Sequence, residues 1–394
     1  MNKLPLYIHI PFCVSKCAYC DFFSLECGNF DHENLDKNRK RVKDAYIDAL
    51  LLDAEKKVKK YHIDEWKSIY VGGGTPSLLT CSQIKKLFTS LYKICKPSQN
   101  AEISFEANPD DISPCFLDCL NSVFVNRLSV GIQSFDDAVL STVGRRSNAQ
   151  GNRNSLKCIC DNWVNKMGNH FTADLIAGLP YQKNKQFLDG ISELISYKCD
   201  HISLYSLMLE EGTPLTKSIN TGKIPYDFNK ADYQWILGRN KLEKEGFSQY
   251  EVSNFCKPNC ESRHNMSYWQ LEDYIGIGAG ATGTVTINSK NAFRWTGVKN
   301  ITEYCNTQNA TTEIVSLSER REEFLMMGFR TLRGVNAFEY KRRFNTTLEA
   351  DIGNIFEIWH KKKLAQKHII NGIEFWALNA KGLLWLNKFL QEII

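Results

Sequence analysis

Short apolar runs alternate with segments of helical period through the first half of the chain. The runs at 6–10, 68–72, 102–107, 127–132, 172–177 and 201–208 read as strands, and 45–58, 82–92, 114–120, 136–143, 150–163 and 186–195 read as helices. Pro97, Pro109 and Pro180 punctuate the connections. Strands that alternate with helices predict parallel β/α units and an α/β fold. The stretch 28–40 is polar and charged, and is expected to be a surface excursion before the first helix.

The pattern changes after about Phe228. A helix over 230–245 leads to an apolar segment at 250–255 and a glycine-rich stretch at 274–283. Beyond Gly297 the alternation ends. The segment 320–332 reads as an amphipathic helix, with shorter helices at 337–344, 348–363 and 379–393 and a small strand at 372–378. A boundary is expected near residue 300, giving domains 1–300 and 301–394, the second small and mainly helical. A chain of 394 residues agrees with two domains.

Hydrophobic content of 43% and charged content of 24% are ordinary for a globular protein. The net charge of +5 is small and its charges are interspersed, which argues against a nucleic-acid partner. No run of 18 apolar residues suggests a membrane span, and Pro5 and His9 interrupt the start in a way that no secretory leader would. A cytoplasmic protein is expected. Oligomeric state and any peripheral membrane contact stay open.

Most of the fourteen cysteines are scattered as expected of free thiols in a reducing compartment. Cys13, Cys17 and Cys20 differ: they form a C-x3-C-x2-C run directly after the first strand. Thiolates ligate iron–sulfur clusters, and three on one loop leave one iron of a cube open to a substrate. A structural zinc site would want a fourth ligand, and neither Asp21 nor Phe22 supplies a thiolate or imidazole.

Polar residues recur where the other strands end, which is where β/α barrels build their sites. Gly72-Gly73-Gly74-Thr75-Pro76 follows the second strand, and glycine there allows backbone to approach a ligand. Glu106, Gln133, Asp174, Tyr205 and Ser206 end the next four. A carboxylate buried in a barrel needs a partner. For Glu106 and Asp174 that partner is either a cationic ligand or an arginine such as Arg127 or Arg145.

The run Tyr7-Ile8-His9-Ile10-Pro11-Phe12-Cys13, with Cys17, Cys20, Asp21 and Phe22, resembles the radical S-adenosylmethionine superfamily, and within it the coproporphyrinogen III dehydrogenase-like branch. The likeness runs from Tyr7 to about Gly283. It implies a partial (β/α)6 barrel, a [4Fe–4S] cluster on Cys13, Cys17 and Cys20, and reductive cleavage of S-adenosylmethionine to a 5′-deoxyadenosyl radical. It also implies S-adenosylmethionine contacts from Tyr7, Tyr19, Gly73, Gly74, Thr75, Glu106, Gln133, Arg145, Asp174 and Ser206, with the glycine stretch holding the amino group.

Arg263-His264-Asn265-Met266-Ser267-Tyr268-Trp269 is dense in polar and aromatic groups. On residue chemistry alone, His264 caps a turn while Tyr268 and Trp269 fill the core. The H-N-x-x-Y-W pattern, however, resembles the haem-chaperone group of the branch, which implies haem binding through His264, Asn265, Tyr268 and Trp269, with His264 as candidate axial ligand. Cys256 and Cys260 precede His264 at intervals of four, but Pro258 and Asn259 make one continuous helix improbable, and both are read as incidental thiols.

Two departures separate the chain from the dehydrogenase. Tyr7 lies almost at the start, where the dehydrogenase has a long arm, and Phe22 stands where the dehydrogenase has a further cysteine. The resemblance therefore implies a haem-binding protein that delivers haem to an acceptor protein. An oxygen-independent coproporphyrinogen III dehydrogenase is the alternative.

Overall fold

The computed structural model describes residues 1–26, 33–164, 168–288 and 290–394, and for 33–39 the helical backbone alone. Six parallel strands follow one another in chain order across one sheet: β1 (Lys3–Ile10), β2 (Glu65–Gly73), β3 (Pro97–Ala107), β4 (Arg127–Gln133), β5 (His170–Ala177) and β6 (His201–Ser206). Ser248–Gln249 (β7) and Asn254–Cys256 (β8) extend the sheet beyond β6, with β8 antiparallel to it. Ile275–Ile277 (β9) lies parallel to β1 at the other edge, so the barrel stays open.

Period-two alternation explains this architecture. One face carries Leu6, Ile8, Ile69, Val71, Ile103, Phe105, Leu128, Val130, Phe171, Ala173, Ile202 and Leu204, all buried. It packs in one core with Leu50 of α1 (Glu33–Tyr61), Leu87 and Leu91 of α2 (Cys81–Ile94), Leu117 of α3 (Pro114–Ser122), Leu156 of α4 (Ala149–Ile159), Ile191 of α5 (Asn184–Ser196) and Leu242 of α6 (Lys230–Lys244). The other face carries Tyr7, His9, Ser68, Tyr70, Glu102, Ser104, Glu106, Arg127, Ser129, Thr172, Asp174, His201 and Ser203. Many barrels fill their interior with branched apolar side chains. A lumen lined this heavily with polar groups has to satisfy them with one another or with a ligand.

The helix α1 starts at Glu33, so the second half of the expected surface excursion is helical; residues 28–32 and Cys27 lie outside the described residues. The strands β10 (Thr282–Ile287), β11 (Asn291–Gly297) and β12 (Ala310–Val315) form an antiparallel sheet that packs on the first core through Trp295 and Phe293. Residue 300, the expected boundary, falls between the last two of these strands. A second core gathers Phe324, Phe329, Tyr340, Phe356, Trp359, Trp376 and Phe389. It unites helices α8 (Leu317–Gly328), α9 (Ala337–Phe344), α10 (Leu348–Lys361) and α11 (Leu386–Ile393) with a sheet of β13 (Val335–Asn336), β14 (Ala365–Ile370) and β15 (Ile373–Leu378). Within 379–393, Gly382–Trp385 is a 3-10 helix whose Gly382 N–H donates to Asn379 Oδ1 at 3.0 Å, and the α-helix begins at Leu386. No helix among the described residues is long and apolar enough to cross a membrane.

Candidate functional site

The structure brings the three cysteines and most of the expected polar residues to the end of the barrel where the parallel strands terminate. The Cys13 thiol accepts from Thr75 Oγ1 at 3.5 Å and the Cys17 thiol from Arg145 Nη1 at 3.5 Å. The loop bearing them is tied down on several sides: Gly74 N–H donates to Ile10 O at 2.9 Å, Thr75 N–H to Phe12 O at 2.8 Å, and Ala18 N–H to Val143 O at 2.9 Å. A Cβ on Gly74 would sit 2.8 Å from Phe12 O, and one on Gly73, whose φ is +116°, would sit 2.5 Å from the His9 ring. The glycines thus let β2 pack against the cysteine loop. The N–H groups of Gly73, Gly74 and Thr75 are engaged by Glu106 Oε2, Ile10 O and Phe12 O.

Glu106 Oε1 accepts from Tyr70 Oη at 2.7 Å and Oε2 from Gly73 N–H at 3.0 Å, and no arginine pairs with it among the described residues. Burial pushes its carboxyl up to about 7, aided by the charge of Asp174. Asp174 is pushed up to about 6 by burial, although Ser203, Arg145 and Ser129 favour its ionised form. Arg127, one of the two arginines considered for them, pairs elsewhere. Arg145 donates to Gly131 O at 2.6 Å and Asn108 Oδ1 at 2.8 Å, while its Nε is buried without a partner. Gln133 sits at φ +64° with Oε1 buried and unpaired. Two under-neutralised carboxylates and two orphaned polar atoms at the mouth match a ligand that carries both a cation and a carboxylate. Tyr19 lies beside Cys17 and Arg145, its hydroxyl raised chiefly by burial. Ser206 is turned toward helix α6, its hydroxyl 3.4 Å from Asp232 Oδ1.

The raised Glu106 carboxyl has a measurable consequence. Its folded value of about 7 exceeds the roughly 4.3 of an unfolded glutamate. The native state therefore binds more protons between these limits, and ligand-free stability is expected to fall as pH rises from about 4.5 to 7. Glu106→Gln should flatten that dependence in denaturant titrations and weaken S-adenosylmethionine binding by about tenfold or more. A steep remaining slope together with unchanged affinity would contradict this placement.

The H-N-x-x-Y-W segment forms a short helix, α7 (Arg263–Trp269), capped by Ser262 and lodged in the lumen. Glu102 receives its first turn: Ser262 Oγ donates at 3.2 Å, Arg263 N–H at 3.1 Å and His264 N–H at 2.9 Å. Arg127 Nε completes the carboxylate at 3.0 Å, with both side chains 3% exposed. Burial opposes ionisation of Glu102, but Arg127 and the helix N–H groups outweigh it and hold the carboxyl below its usual range.

His264 is 0% exposed. Its Nδ1 bonds Ser68 Oγ at 2.8 Å, its Nε2 bonds Tyr268 Oη at 2.8 Å, and its ring stacks on Tyr70 at 5.2 Å. The expectation of an axial ligand therefore meets a histidine with both nitrogens engaged inside the barrel. Ser68 precedes Gly72 by four residues, or roughly 13 Å along the strand. The helix thus plugs the lumen well below the cysteine loop. Cys256 lies on β8, sharing no helix face with His264. Cys260 lies at the start of the plug, its thiol within 4.8 Å of His170 and Asp200.

Several residues that hold this site escaped the reading of strand ends. His9 bridges Tyr7 Oη at 2.9 Å and Phe23 O at 2.9 Å, and so links β1 to the cysteine loop. Tyr70 joins Glu106 to His264, and Ser68, Glu102 and Asn108 complete the polar ladder. For three of them the signal available was period two: Ser68 and Tyr70 lie four and two residues before Gly72, and Glu102 four before Glu106.

Comparisons with known proteins agree with this architecture. The family model of the Radical SAM superfamily matches residues 7–194. The chain is 33% identical over 396 residues to Heme chaperone HemW of Buchnera aphidicola subsp. Schizaphis graminum, covering 99% of each protein. It is 31% identical to Heme chaperone HemW of Escherichia coli, again covering 99% of each. Among solved structures, coproporphyrinogen III oxidase (HemN) from Escherichia coli, described as a radical SAM enzyme, superposes with a TM-score of 0.79 at 19% identity, covering 99% of this chain and 89% of that one. At that identity the superposition speaks for the fold alone, whereas full-length identity above 30% places the sequence: this chain belongs to the HemW family of the radical SAM superfamily.

Proposed function

We propose that this chain is a cytoplasmic haem chaperone, binding haem and passing it to an acceptor protein. The observation that carries this reading is its full-length match to proteins named Heme chaperone HemW. The placement of the plug helix supports it, because a group held beside that helix lies away from the cysteine loop and would be carried rather than transformed there.

In this reading Cys13, Cys17 and Cys20 hold a [4Fe–4S] cluster, which supplies an electron for reductive cleavage of S-adenosylmethionine. Glu106 and carbonyl oxygens of Gly73, Gly74 and Thr75 hold the ammonium group of that ligand. Arg145 and Gln133 take its carboxylate, while Tyr7, Tyr19, Asp174 and Ser206 line the remainder. His264, Asn265, Tyr268 and Trp269 serve haem binding, and the hydrogen bonds of His264 give it the part of a pin that fixes the helix rather than of a ligand.

Anaerobically reconstituted protein given S-adenosylmethionine and a reductant should take up hemin, read by its Soret band, and should leave coproporphyrinogen III unconverted. Turnover to protoporphyrinogen IX would make it the dehydrogenase instead.

A further inference from the structure

The fold gathers another set of donor side chains at the end of the barrel opposite the cysteine loop, where the parallel strands begin. His170 opens β5, Asp200 directly precedes β6, and Cys260 lies two residues before the cap of α7. Their donor atoms all lie within 4.8 Å of one another. His170 Nδ1 bonds Asp200 Oδ2 at 2.7 Å, and the Cys260 thiol donates to the same carboxylate. Spacing along the chain gave Cys260 no such neighbours; the fold supplies them.

Backbone contacts fix this corner. Asp200 Oδ1 accepts from Phe171 N–H at 3.0 Å, and Asp200 O from Lys257 N–H at 2.8 Å. Arg127 Nη2 donates to Cys260 O at 2.8 Å. The basic groups here are engaged elsewhere: Lys257 Nζ donates to Glu245 O at 2.6 Å, and Arg127 Nε to Glu102 at 3.0 Å. Among the described residues neither forms an ion pair with Asp200. Burial and Asp200 push the Cys260 thiol up to about 11, which argues against a free nucleophile.

Imidazole, carboxylate and thiolate are donors that zinc takes, and a tetrahedral zinc sets such atoms roughly 3.3–3.6 Å apart. Small side-chain rotations bring the three to that spacing. His170 and Asp200 are 34% and 24% exposed, so water reaches a fourth position.

We propose that His170, Asp200 and Cys260 bind a divalent cation of the zinc class, which clamps the start of the plug helix to β5 and β6. Coordination releases the thiol proton to solvent, and the imidazole keeps its proton on the nitrogen that does not bind the metal. The site is independent of the haem-chaperone reading.

The test is cobalt(II) and zinc titration of the full-length Cys13→Ala, Cys17→Ala, Cys20→Ala variant, which lacks both the rival thiolates and the cluster's absorbance. Circular dichroism checks that each further variant is folded. One cobalt per chain should bind with a thiolate-to-cobalt absorption band that zinc abolishes. Cys260→Ala should remove the band, and His170→Gln should weaken zinc binding by about tenfold or more. Absence of the band, a band indifferent to Cys260→Ala, or a zinc affinity indifferent to His170→Gln would each overturn the assignment.

Discussion

Replacing Glu102 with alanine is expected to lower the unfolding free energy by about 3–5 kcal/mol, the largest stability loss of any single substitution considered for the barrel. The carboxylate takes Arg127 Nε at 3.0 Å, Ser262 Oγ at 3.2 Å, and the N–H groups of Arg263 and His264 at 3.1 and 2.9 Å. Deleting it leaves a guanidinium that is 3% exposed without its counter-charge and uncaps the plug helix. Glutamine keeps one acceptor oxygen and should cost less. Because the Glu102 carboxyl is held below its usual range, its contribution is present above the unfolded pKa and is lost as pH falls through the lower folded value. Denaturant titration measures the stability change, and hydrogen exchange at Arg263–Trp269 measures the uncapping. An unchanged midpoint with undiminished protection of that helix would show that Glu102 does not pin it.

Much of this arrangement was legible in the chain itself. The strand–helix alternation located all six parallel strands, and the spacing of Cys13, Cys17 and Cys20 singled out their loop. Glu106 and Asp174 stood out as carboxylates inside apolar runs; Glu106 is bonded by Tyr70 and Gly73, and Asp174 has Ser203, Ser129 and the charge of Arg145 nearby, with no ion pair to either among the described residues. The polar ladder beneath them was harder to see, because Ser68, Tyr70 and Glu102 interrupt runs whose apolar members decide the strand assignment. Glu102 and Ser262 are separated by 160 residues, and no local pattern announces such a contact.

His264 illustrates a second limit. Spacing cannot say which way a helix of seven residues faces, and that direction is set by long-range partners on β2 and β3. The strands at Ala310–Val315 and Ala365–Ile370 were missed for a different reason. Both carry exposed polar positions and too few apolar ones to show a period. They are held by pairing with β11 and β15, which is tertiary information.

Alanine at Cys13, Cys17 or Cys20 is expected to abolish the cluster altogether, with loss of brown colour and of bound iron and sulfide, because each removes one of the three thiolates that would hold it. Cys256, on β8, and Cys260, at the start of the plug, are placed away from the loop, and their replacement should leave iron and sulfide content unchanged. In the proposed function haem is held by the plug helix, whose His264 bonds Ser68 below the cysteine loop, so cluster and haem should be separable. Hemin titration of the Cys13→Ala, Cys17→Ala, Cys20→Ala triple variant beside the wild-type protein tests this most directly. A cluster-free variant that takes up one hemin with wild-type affinity and Soret position is the expected result. Loss of hemin binding along with the cluster would contradict it.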